Sequence, residues 1–296
     1  MTSSTKSKSV ITKTTNLKIG AHLSIAGGYH NALHKINEIG GNCLQIFSSS
    51  PRNWGVQPVS DEQIETFLTE RKKYAIDPVY FHASYLVNFA DNDRIGKASI
   101  QTLIDELNLA KRMNIVGSII HLGSFKQAEK PTAKQYDIVF NNVQAVLDST
   151  PEGTYFIIEN AGNKKLNWSL SELGFIVRQL NHPRIKVCLD TCHLWGAGCD
   201  LSTEDKFKTY FDEFEQKVGM DRLEVFQIND SKDPLGSFRD RHENLGMGQI
   251  PEDEFKMLVN SSLTKNKPFI LEVPGLDKKG PDKANIDKFK SYSLSG

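Results

Sequence analysis

Short apolar runs alternate with longer amphipathic segments along the chain from Leu17 onward. The short runs are rich in β-branched and aromatic residues, which is typical of strands, whereas the longer segments carry apolar residues at helical spacing. The predicted strands span residues 19–25, 43–49, 78–84, 117–124, 154–162, 185–193, 223–230 and 268–275. The clearest predicted helices span residues 61–74, 95–113 and 202–219.

Eight strands that alternate with helices favour one fold class. The alternation implies parallel pairing with right-handed crossovers, and eight such units in about 280 residues match a (β/α)8 TIM barrel. We therefore predict an α/β fold of this kind as a single domain over residues 17–296. An open, doubly wound sheet is the competing architecture. The chain contains neither a sequence repeat beyond this alternation nor a linker rich enough in proline or glycine to divide it.

Composition and charge narrow the class of protein. The 296 residues are 39% hydrophobic and 24% charged, as in an ordinary globular protein. Lys+Arg and Asp+Glu both number 36, so net charge indicates neither a nucleic-acid partner nor an acidic substrate. No apolar run approaches the roughly 18 residues that span a bilayer, and no hydrophobic secretion signal follows Met1. We expect no membrane partner.

Cysteine usage and the first residues bear on location. Four cysteines lack the spacing of a secreted disulfide framework, which favours a reducing compartment. We expect the cytoplasm, near the nucleoid in a bacterium, or the nucleus, and no secretion. Residues 1–16 are rich in Ser, Thr and Lys and are predicted to form a disordered tail. A phosphate-binding arm and an organelle-targeting peptide are the alternatives for this segment.

Polar side chains lie near the end of nearly every predicted strand. In a barrel these positions meet at the carboxyl rim, where active sites of this fold are built. Each residue alone is weak evidence, because a single strand histidine is more often structural than a metal ligand. The set comprises His22, His82, His121, Glu159, Asp190, His193, Gln227, Asp230 and Glu272.

The composition of this set indicates metal binding. Several carboxylates brought together would repel one another and raise their pKa values unless cations lie among them. Histidine with Asp and Glu is the ligand set of zinc or manganese, whereas thiolates dominate structural zinc sites. The cysteines therefore look like small core residues. Asp240 and His242, two residues apart in a loop, could chelate one ion, although a solvated charged turn is the favoured explanation when this loop is taken by itself.

Eight segments, taken in order, resemble the endonuclease IV family of zinc-dependent apurinic/apyrimidinic endonucleases. The likeness runs from about residue 18 to about residue 275, and its most specific parts are DTCH and DRH. The segments are GAHLSIAGG (20–28), FHASYLVN (81–88), IIHLGS (119–124), IIENAG (157–162), VCLDTCHLWGAGCDL (187–201), INDSK (228–232), DRHENLGMGQI (240–250) and LEVPG (271–275).

The resemblance implies a centre of up to three zinc ions. The first ion would be bound by His82, His121 and Glu159. The second would share Glu159 and add Asp190, Glu272 and residue 227. The third would be bound by His193, Asp240 and His242. Glu159 would also act in catalysis, by bridging two ions and orienting the attacking water.

One ligand position departs from the family, which has a histidine where this chain has Gln227. An amide oxygen is a weaker and harder ligand for zinc than an imidazole. The second site would then have only oxygen ligands, which suit Mn²⁺ or Mg²⁺ better. We therefore expect the second site to be the most exchangeable or only partly occupied.

The resemblance also implies the substrate. Loops that contain Arg52 and Trp54, and Tyr85 and Leu86, correspond to loops that enter the minor groove of DNA and fill the gap left by a missing base. These side chains could instead only pack their loops onto the barrel. On the same rim, phosphate contacts are expected from Lys126, Lys164, Lys165, Arg239 and Arg241.

The implied activity is hydrolysis of the phosphodiester 5′ to an abasic site in double-stranded DNA, with trimming of blocked 3′ ends as a second activity. We expect a monomer that leaves a 3′-hydroxyl and a 5′-deoxyribose phosphate. Two alternatives stay open. A metal-dependent sugar isomerase or epimerase uses a similar barrel, and a non-catalytic protein that binds abasic DNA would fit the altered ligand at Gln227.

Overall fold

The three-dimensional structure is a computed structural model that describes residues 17–125 and 130–294. The predicted tail of residues 1–16 and Lys126 lie outside the described residues. Within these residues, eight parallel strands close into a barrel in the circular order β1, β2, β3, β4, β5, β6, β7 and β10. The strands are β1 (Ile19–Leu23), β2 (Cys43–Phe47), β3 (Val79–His82), β4 (Gly117–Ile120), β5 (Tyr155–Glu159), β6 (Ile185–Asp190), β7 (Leu223–Ile228) and β10 (Phe269–Leu271).

Helices follow the strands around the outside of this barrel. Ser60 and Thr132 begin two of them with reciprocal capping boxes, in which a hydroxyl and a glutamine side chain bond to opposite main-chain N–H groups. The helices are α1 (Tyr29–Glu38), α2 (Asp61–Lys73), α3 (Arg94–Arg112), α4 (Ala133–Asp148), α5 (Leu170–Leu180), α6 (Thr191–Gly196), α7 (Glu204–Lys217), α8 (Glu252–Asn260) and α9 (Lys283–Ser291). The closed barrel confirms the predicted (β/α)8 fold and excludes the open sheet.

Most of the core lies between strands and helices, where large aromatic side chains are fully buried. Phe226 on β7 and Phe269 on β10 stack with ring centroids 5.6 Å apart, and Phe289 of α9 packs on Phe269 at 5.2 Å. Each buried phenylalanine contributes about 2–3 kcal/mol through removal of apolar surface from water. This outer core holds the strands in register.

A second, smaller core fills the inside of the barrel. Alternate residues of a strand face the same side, so the residue two positions further along each strand also points inward, one layer closer to the carboxyl rim. The inner core consists of Cys43, Tyr80, Ile119, Ile157, Cys188, Val225 and Ile270. We call the side chains directly above it, one from each strand, the rim layer: His22, Gln45, His82, His121, Glu159, Asp190, Gln227 and Glu272.

The strands end earlier than the sequence predicted. The fourth was expected to reach residue 124 but ends at Ile120, and the eighth was expected to reach residue 275 but ends at Leu271. The extra residues belong to loops, because His121 and Glu272 already stand at the rim. A short antiparallel pair, β8 (Asp230–Ser231) with β9 (His242–Glu243), extends the loop after β7. In the described part of the chain, no helix is long and apolar enough to cross a membrane.

Candidate metal centre

The rim layer and the loops above it surround one cavity of about 470 Å³. Its polar lining contains the predicted ligands His82, His121, Glu159, His193, Asp240, His242 and Glu272, together with His22. Asp190 and Gln227 lie fully buried below this surface and face each other across β6 and β7. The structure therefore brings all nine predicted ligand positions to one end of the barrel.

The first predicted ligand set forms a compact cluster. Donor atoms of His82, His121 and Glu159 all lie within 4.8 Å of one another. The Nε2 atom of His82 is 3.2 Å from Oε2 of Glu159, and Nε2 of His121 is 3.4 Å from its Oε1. Two imidazoles and one carboxylate at this spacing are suited to bind zinc.

The third predicted set forms a second cluster beside the first. The Nε2 atoms of His193 and His242 lie 3.1 Å and 3.3 Å from Oδ1 of Asp240. Asp190 contributes as well, because its donor atom lies within 4.8 Å of those of His193 and His242. The Sγ atom of Cys192 is also within 4.8 Å of donor atoms of Asp240 and His242. Burial raises the pKa of this thiol to about 12, so it is protonated when no cation is bound.

Hydrogen bonds to the main chain fix the orientation of three imidazoles. The Nδ1 atom of His82 lies 2.8 Å from the Ala83 carbonyl oxygen, and that of His193 lies 3.0 Å from the Asn160 carbonyl oxygen. The Nδ1 atom of His242 lies 3.4 Å from the Glu272 carbonyl oxygen. In the neutral imidazole, such a bond places the proton on Nδ1 and leaves the lone pair on Nε2. All three Nε2 atoms then point into the clusters, as metal ligands do.

Several of these inward atoms are buried without a hydrogen-bond partner among the described residues. They include Nε2 of His193, Nε2 of His242 and Oε1 of Glu159. Carboxylate oxygens lie 3.1–3.3 Å from the imidazole nitrogens of the third cluster. Lone pairs that converge in this way are satisfied by a divalent cation, so the residues fit metal ions at the first and third positions.

Charge in the metal-free clusters is balanced by protons. Burial alone would lower the pKa of His82, but hydrogen bonding and charge from Glu159 outweigh it and raise the pKa to about 9. At His242, burial again lowers the pKa, but the charge of Asp190 and a hydrogen bond to Asp240 outweigh it and raise the pKa to about 9. Burial dominates at His121 and lowers its pKa to about 4. A bound cation would take the place of protons on His82 and His242, so metal binding and proton release are coupled.

Two buried asparagines support these ligands, and the sequence analysis did not identify them. The Nδ2 group of Asn229 donates to Oδ2 of Asp190 at 2.6 Å, and its Oδ1 accepts the Glu272 N–H at 2.9 Å. Asn160 accepts the Asp190 N–H at 2.7 Å through its side-chain oxygen. Each asparagine follows a rim residue by one or two positions and lies in a segment that carries the family resemblance, and these two signals could have indicated it.

The second predicted position differs from the other two. Gln227 donates from Nε2 to Oε1 of Glu272 at 3.2 Å and to Oε1 of Gln45 at 3.3 Å. Among the described residues, no group of three clustered His, Cys, Asp or Glu donors includes Glu272. The residues present therefore do not fit a zinc ion at this position in the way that they do at the first and third.

Asp230 stands apart from the predicted ligands. Its carboxylate accepts main-chain N–H groups from Gly246, Gly248 and Ile250 at 2.9–3.0 Å. Asp230 was predicted to be a ligand or a hydrogen-bonding group, and its contacts give it the second role. It holds the loop that follows His242 against the barrel.

The residues predicted to contact DNA surround the mouth of the cavity. Tyr85 is 70% exposed and lies edge-on to Phe47, with ring centroids 5.4 Å apart. Trp54 is 41% exposed, Arg52 is exposed and Leu86 is half-buried. The hydroxyl of Ser84 donates to the Pro51 carbonyl at 2.7 Å, so the two loops are tied together.

The predicted phosphate-binding side chains differ in whether a carboxylate of the protein already binds them. Lys164 and Lys165 are exposed, and Nζ of Lys164 lies 4.8 Å from the centre of the Phe238 ring. Arg241 is held by Asp233, with Nε 2.7 Å from Oδ2, while Arg239 lies 3.6 Å from the same carboxylate. The two lysines are thus freer than the two arginines to reach a phosphate.

Comparison with known proteins gives a consistent assignment. Residues 33–291 match a family described as the xylose isomerase-like TIM barrel. A probable endonuclease 4 from Halothermothrix orenii is 34% identical over 262 residues, which cover 87% of this chain and 94% of the relative. The crystal structure of endonuclease IV from Thermus thermophilus is similar with a TM-score of 0.81 and 30% identity, over 93% of this chain and 98% of that one.

The barrel itself is shared more widely. The structure of a D-psicose 3-epimerase from Clostridium cellulolyticum H10 has a TM-score of 0.62 over 92% of this chain and 89% of that one. At 19% identity this similarity concerns the fold alone. The family must therefore be decided by the relatives with higher identity.

Proposed function

The chain belongs to the endonuclease IV family, and from this membership we propose that it is a metal-dependent DNA repair endonuclease. The proposed reaction is hydrolysis of the phosphodiester 5′ to an abasic site in double-stranded DNA, leaving a 3′-hydroxyl and a 5′-deoxyribose phosphate. Trimming of blocked 3′ ends is proposed as a second activity of the same centre. The proposed cofactor is zinc, with up to three ions.

One structural observation supports this proposal independently of the family membership. Two adjacent clusters, each with two imidazoles and at least one carboxylate, line a single cavity at the barrel rim. Adjacent divalent ions are the usual device for phosphodiester hydrolysis, since together they stabilise the charge that develops on the phosphate oxygens. A sugar isomerase needs no second imidazole cluster such as His193, Asp240 and His242.

The protein's own residues would position the reactants. The clusters would bind their ions through His82, His121 and Glu159, and through Asp190, His193, Asp240 and His242. Oε2 of Glu159 lies 3.2 Å from Nε2 of His82, and its Oε1 lies 3.0 Å from Nδ1 of His193. Glu159 itself is only 1% exposed. We propose that this carboxylate orients the attacking water between the two clusters.

The cavity mouth would select the substrate. Tyr85, Trp54 and Leu86 would wedge into the helix where a base is missing, because unstacking costs least there. Arg52 would contact the phosphate backbone or the minor groove, and Lys164 and Lys165 would contact phosphates. Since these contacts are electrostatic, binding should weaken steeply with added salt.

The deciding experiment uses a duplex that contains a single synthetic abasic site. Protein stripped of metal is incubated with this duplex, and Zn²⁺, Mn²⁺ or Mg²⁺ is added singly and in pairs. We expect one incision on the 5′ side of the abasic site only when metal is present, and none in a duplex with all its bases. Product ends are identified by ligation and by mass.

Two matched variants sharpen this test. Glu159→Gln removes one charge from the centre and should abolish incision, whereas Glu254→Gln changes another fully buried glutamate outside the centre and should leave incision intact. Tight binding without incision in any metal would favour the non-catalytic alternative. Sugar turnover without DNA cleavage would favour the isomerase.

A further inference from the structure

The buried side of helix α3 carries polar residues as well as apolar ones. A helix on the outside of a barrel packs apolar residues against the strands, and α3 does so with Leu103 and Leu107. Ser99, Thr102 and Glu106 of the same helix are nevertheless buried as well. Their spacing of three and four positions places them on one face of the helix. We call these three residues the polar stripe of α3.

Glu106 fixes the start of the loop that contains Arg52 and Trp54. Its carboxylate accepts hydrogen bonds from the hydroxyls of two buried serines, Ser48 and Ser118. Ser118 lies in the barrel strand β4, whereas Ser48 is the first residue after β2, where the loop begins. Burial raises the pKa of Glu106 to about 7 in spite of both hydrogen bonds, so this carboxylate is unfavourably placed for the fold alone.

Thr102 fixes the other end of the same loop. Its Oγ1 atom accepts the Gly55 N–H at 3.3 Å, one helical turn before Glu106. The hydroxyl of Ser49 donates to the Gly55 carbonyl at 3.0 Å and closes the loop on itself. Residues 48–55, which we call the first loop, are thus bound at both ends by one face of α3.

Ser99 fixes the second loop, which we define as residues 84–88 and which contains Tyr85 and Leu86. Its hydroxyl oxygen accepts the Asn88 N–H at 2.8 Å, at the end of this loop. Each member of the polar stripe therefore binds a loop at the mouth of the cavity. Apolar residues at these positions would pack against the strands but would leave the loop ends without these partners.

We propose that the polar stripe of α3 positions the first and second loops for substrate recognition, so that their exposed side chains enter damaged DNA together. The inference deepens the proposed function, on which it rests for the identity of the substrate. Its members are buried, so they act on DNA through the loops. A loop whose ends are fixed in advance loses less conformational freedom when it binds, and this saving appears as affinity.

Two serine variants test the inference with the same chemical change. Ser48→Ala removes the hydrogen bond between Glu106 and the first loop, whereas Ser118→Ala removes the one between Glu106 and the barrel. Hydrogen exchange is measured by nuclear magnetic resonance at the Gly55 amide, which is bonded to Thr102. We expect about 10- to 100-fold faster exchange in Ser48→Ala, as for loss of one hydrogen bond to a charged group, and no change in Ser118→Ala.

Binding of the same proteins to an abasic duplex is measured by fluorescence anisotropy at fixed salt. Ser48→Ala should weaken binding about tenfold and Ser118→Ala should not, although both lose similar stability against denaturant. In a protein that already carries Arg52→Ala and Trp54→Ala, adding Ser48→Ala should cause no further loss of affinity, because the side chains that it positions are gone. Zinc content should be the same in all variants, since no proposed metal ligand is altered.

Glu106 itself is tested by two substitutions of similar size. Glu106→Gln keeps an oxygen that can accept from Ser48 and an NH₂ group that can donate to Ser118, whereas Glu106→Leu removes both bonds. We expect Glu106→Gln to retain most of the affinity for the duplex and Glu106→Leu to lose it as Ser48→Ala does. If Glu106→Leu does not fold, the two serine variants decide by themselves.

The outcomes separate this inference from the proposed function. Unchanged exchange at Gly55 in Ser48→Ala, or equal acceleration in both serine variants, would overturn the inference even if abasic DNA is incised. Faster exchange with unchanged duplex binding would overturn it too, because the hydrogen bond would then serve the fold alone. Faster exchange and weaker binding in Ser48→Ala alone would support it even if the duplex is bound but not incised, and the incision assay then judges the endonuclease.

Discussion

Asn229 is the residue whose replacement tests most directly whether the rim is organised around metal ions. Its side chain is fully buried and joins two proposed ligands, since it donates to the Asp190 carboxylate at 2.6 Å and accepts the Glu272 N–H at 2.9 Å. In Asn229→Ala both hydrogen bonds are lost. The Glu272 N–H is then left buried and unpaired.

The two bonds set the size of the expected effect. A hydrogen bond to a charged group contributes about 1.5–3 kcal/mol and a neutral one about 1 kcal/mol, so the metal-free variant should lose about 3 kcal/mol of unfolding free energy. Loss of orientation at Asp190 should also lower metal affinity 10- to 100-fold. Since bound metal stabilises only the folded state, the gain in stability upon metal addition should shrink by about 1.4–2.8 kcal/mol.

Asn42→Ala provides the matched control at the opposite end of the barrel. Asn42 also joins two groups, because its Nδ2 donates to the Leu17 carbonyl at 2.9 Å and its Oδ1 accepts the Ile19 N–H at 2.8 Å. Denaturant unfolding of both variants, with and without zinc, measures the two effects separately. If zinc stabilises both variants equally, Asn229 serves only the fold and the reasoning about the rim is refuted.

Three further predictions concern other parts of the molecule. Gly162→Ala would place a methyl group 2.8 Å from Cα and Cδ2 of His193, so we expect elemental analysis to find one zinc ion fewer per chain, and a full complement would contradict this. Tyr85→Ala should change the unfolding free energy by no more than about 0.5 kcal/mol, because the side chain is 70% exposed. In fluorescence anisotropy at fixed salt, however, it should weaken binding to an abasic duplex about tenfold, and unchanged binding would show that the ring is no wedge. Burial raises the pKa of Glu254 from 4.5 to about 8, so the folded protein keeps a proton that the unfolded chain releases as pH rises between these values. Unfolding free energy should therefore fall through this window, by up to about 5 kcal/mol, and Glu254→Gln should flatten this decline. An unchanged slope in the variant would show that other groups cause the decline.

The fold was predictable because it depends on patterns that a single chain displays. Strand and helix periods alternate eight times, and only a few architectures accommodate that alternation. The ends of strands were less predictable, because the polar residues that end them also continue the alternating pattern. His121 was placed within a strand on this ground, whereas β4 ends one residue earlier.

The candidate site was predictable to the extent that its residues have distinctive chemistry. Histidines and carboxylates at the ends of strands were singled out for that reason, as were Asp240 and His242 by their spacing in a loop, and the family resemblance assigned that pair to a metal ion. Asn229 and Asn160 escaped notice, because an amide near a strand end resembles any residue that caps or turns the chain. Their role depends on which main-chain and carboxylate groups lie beside them, and only three-dimensional contacts define that.

Gln45 shows how far a simple rule could have extended the prediction. It lies two residues after Cys43, a member of the inner core, just as Glu159 lies two residues after Ile157. The parity of a strand therefore places Gln45 in the rim layer without any knowledge of its chemistry. Once Gln45 is there, Glu272 accepts from amide groups of two strands, β2 and β7, and Gln227 becomes part of a shared hydrogen-bond arrangement rather than an isolated lost ligand. A histidine introduced at residue 227 would therefore replace the hydrogen bond from Gln227 to Glu272 before its imidazole could bind zinc.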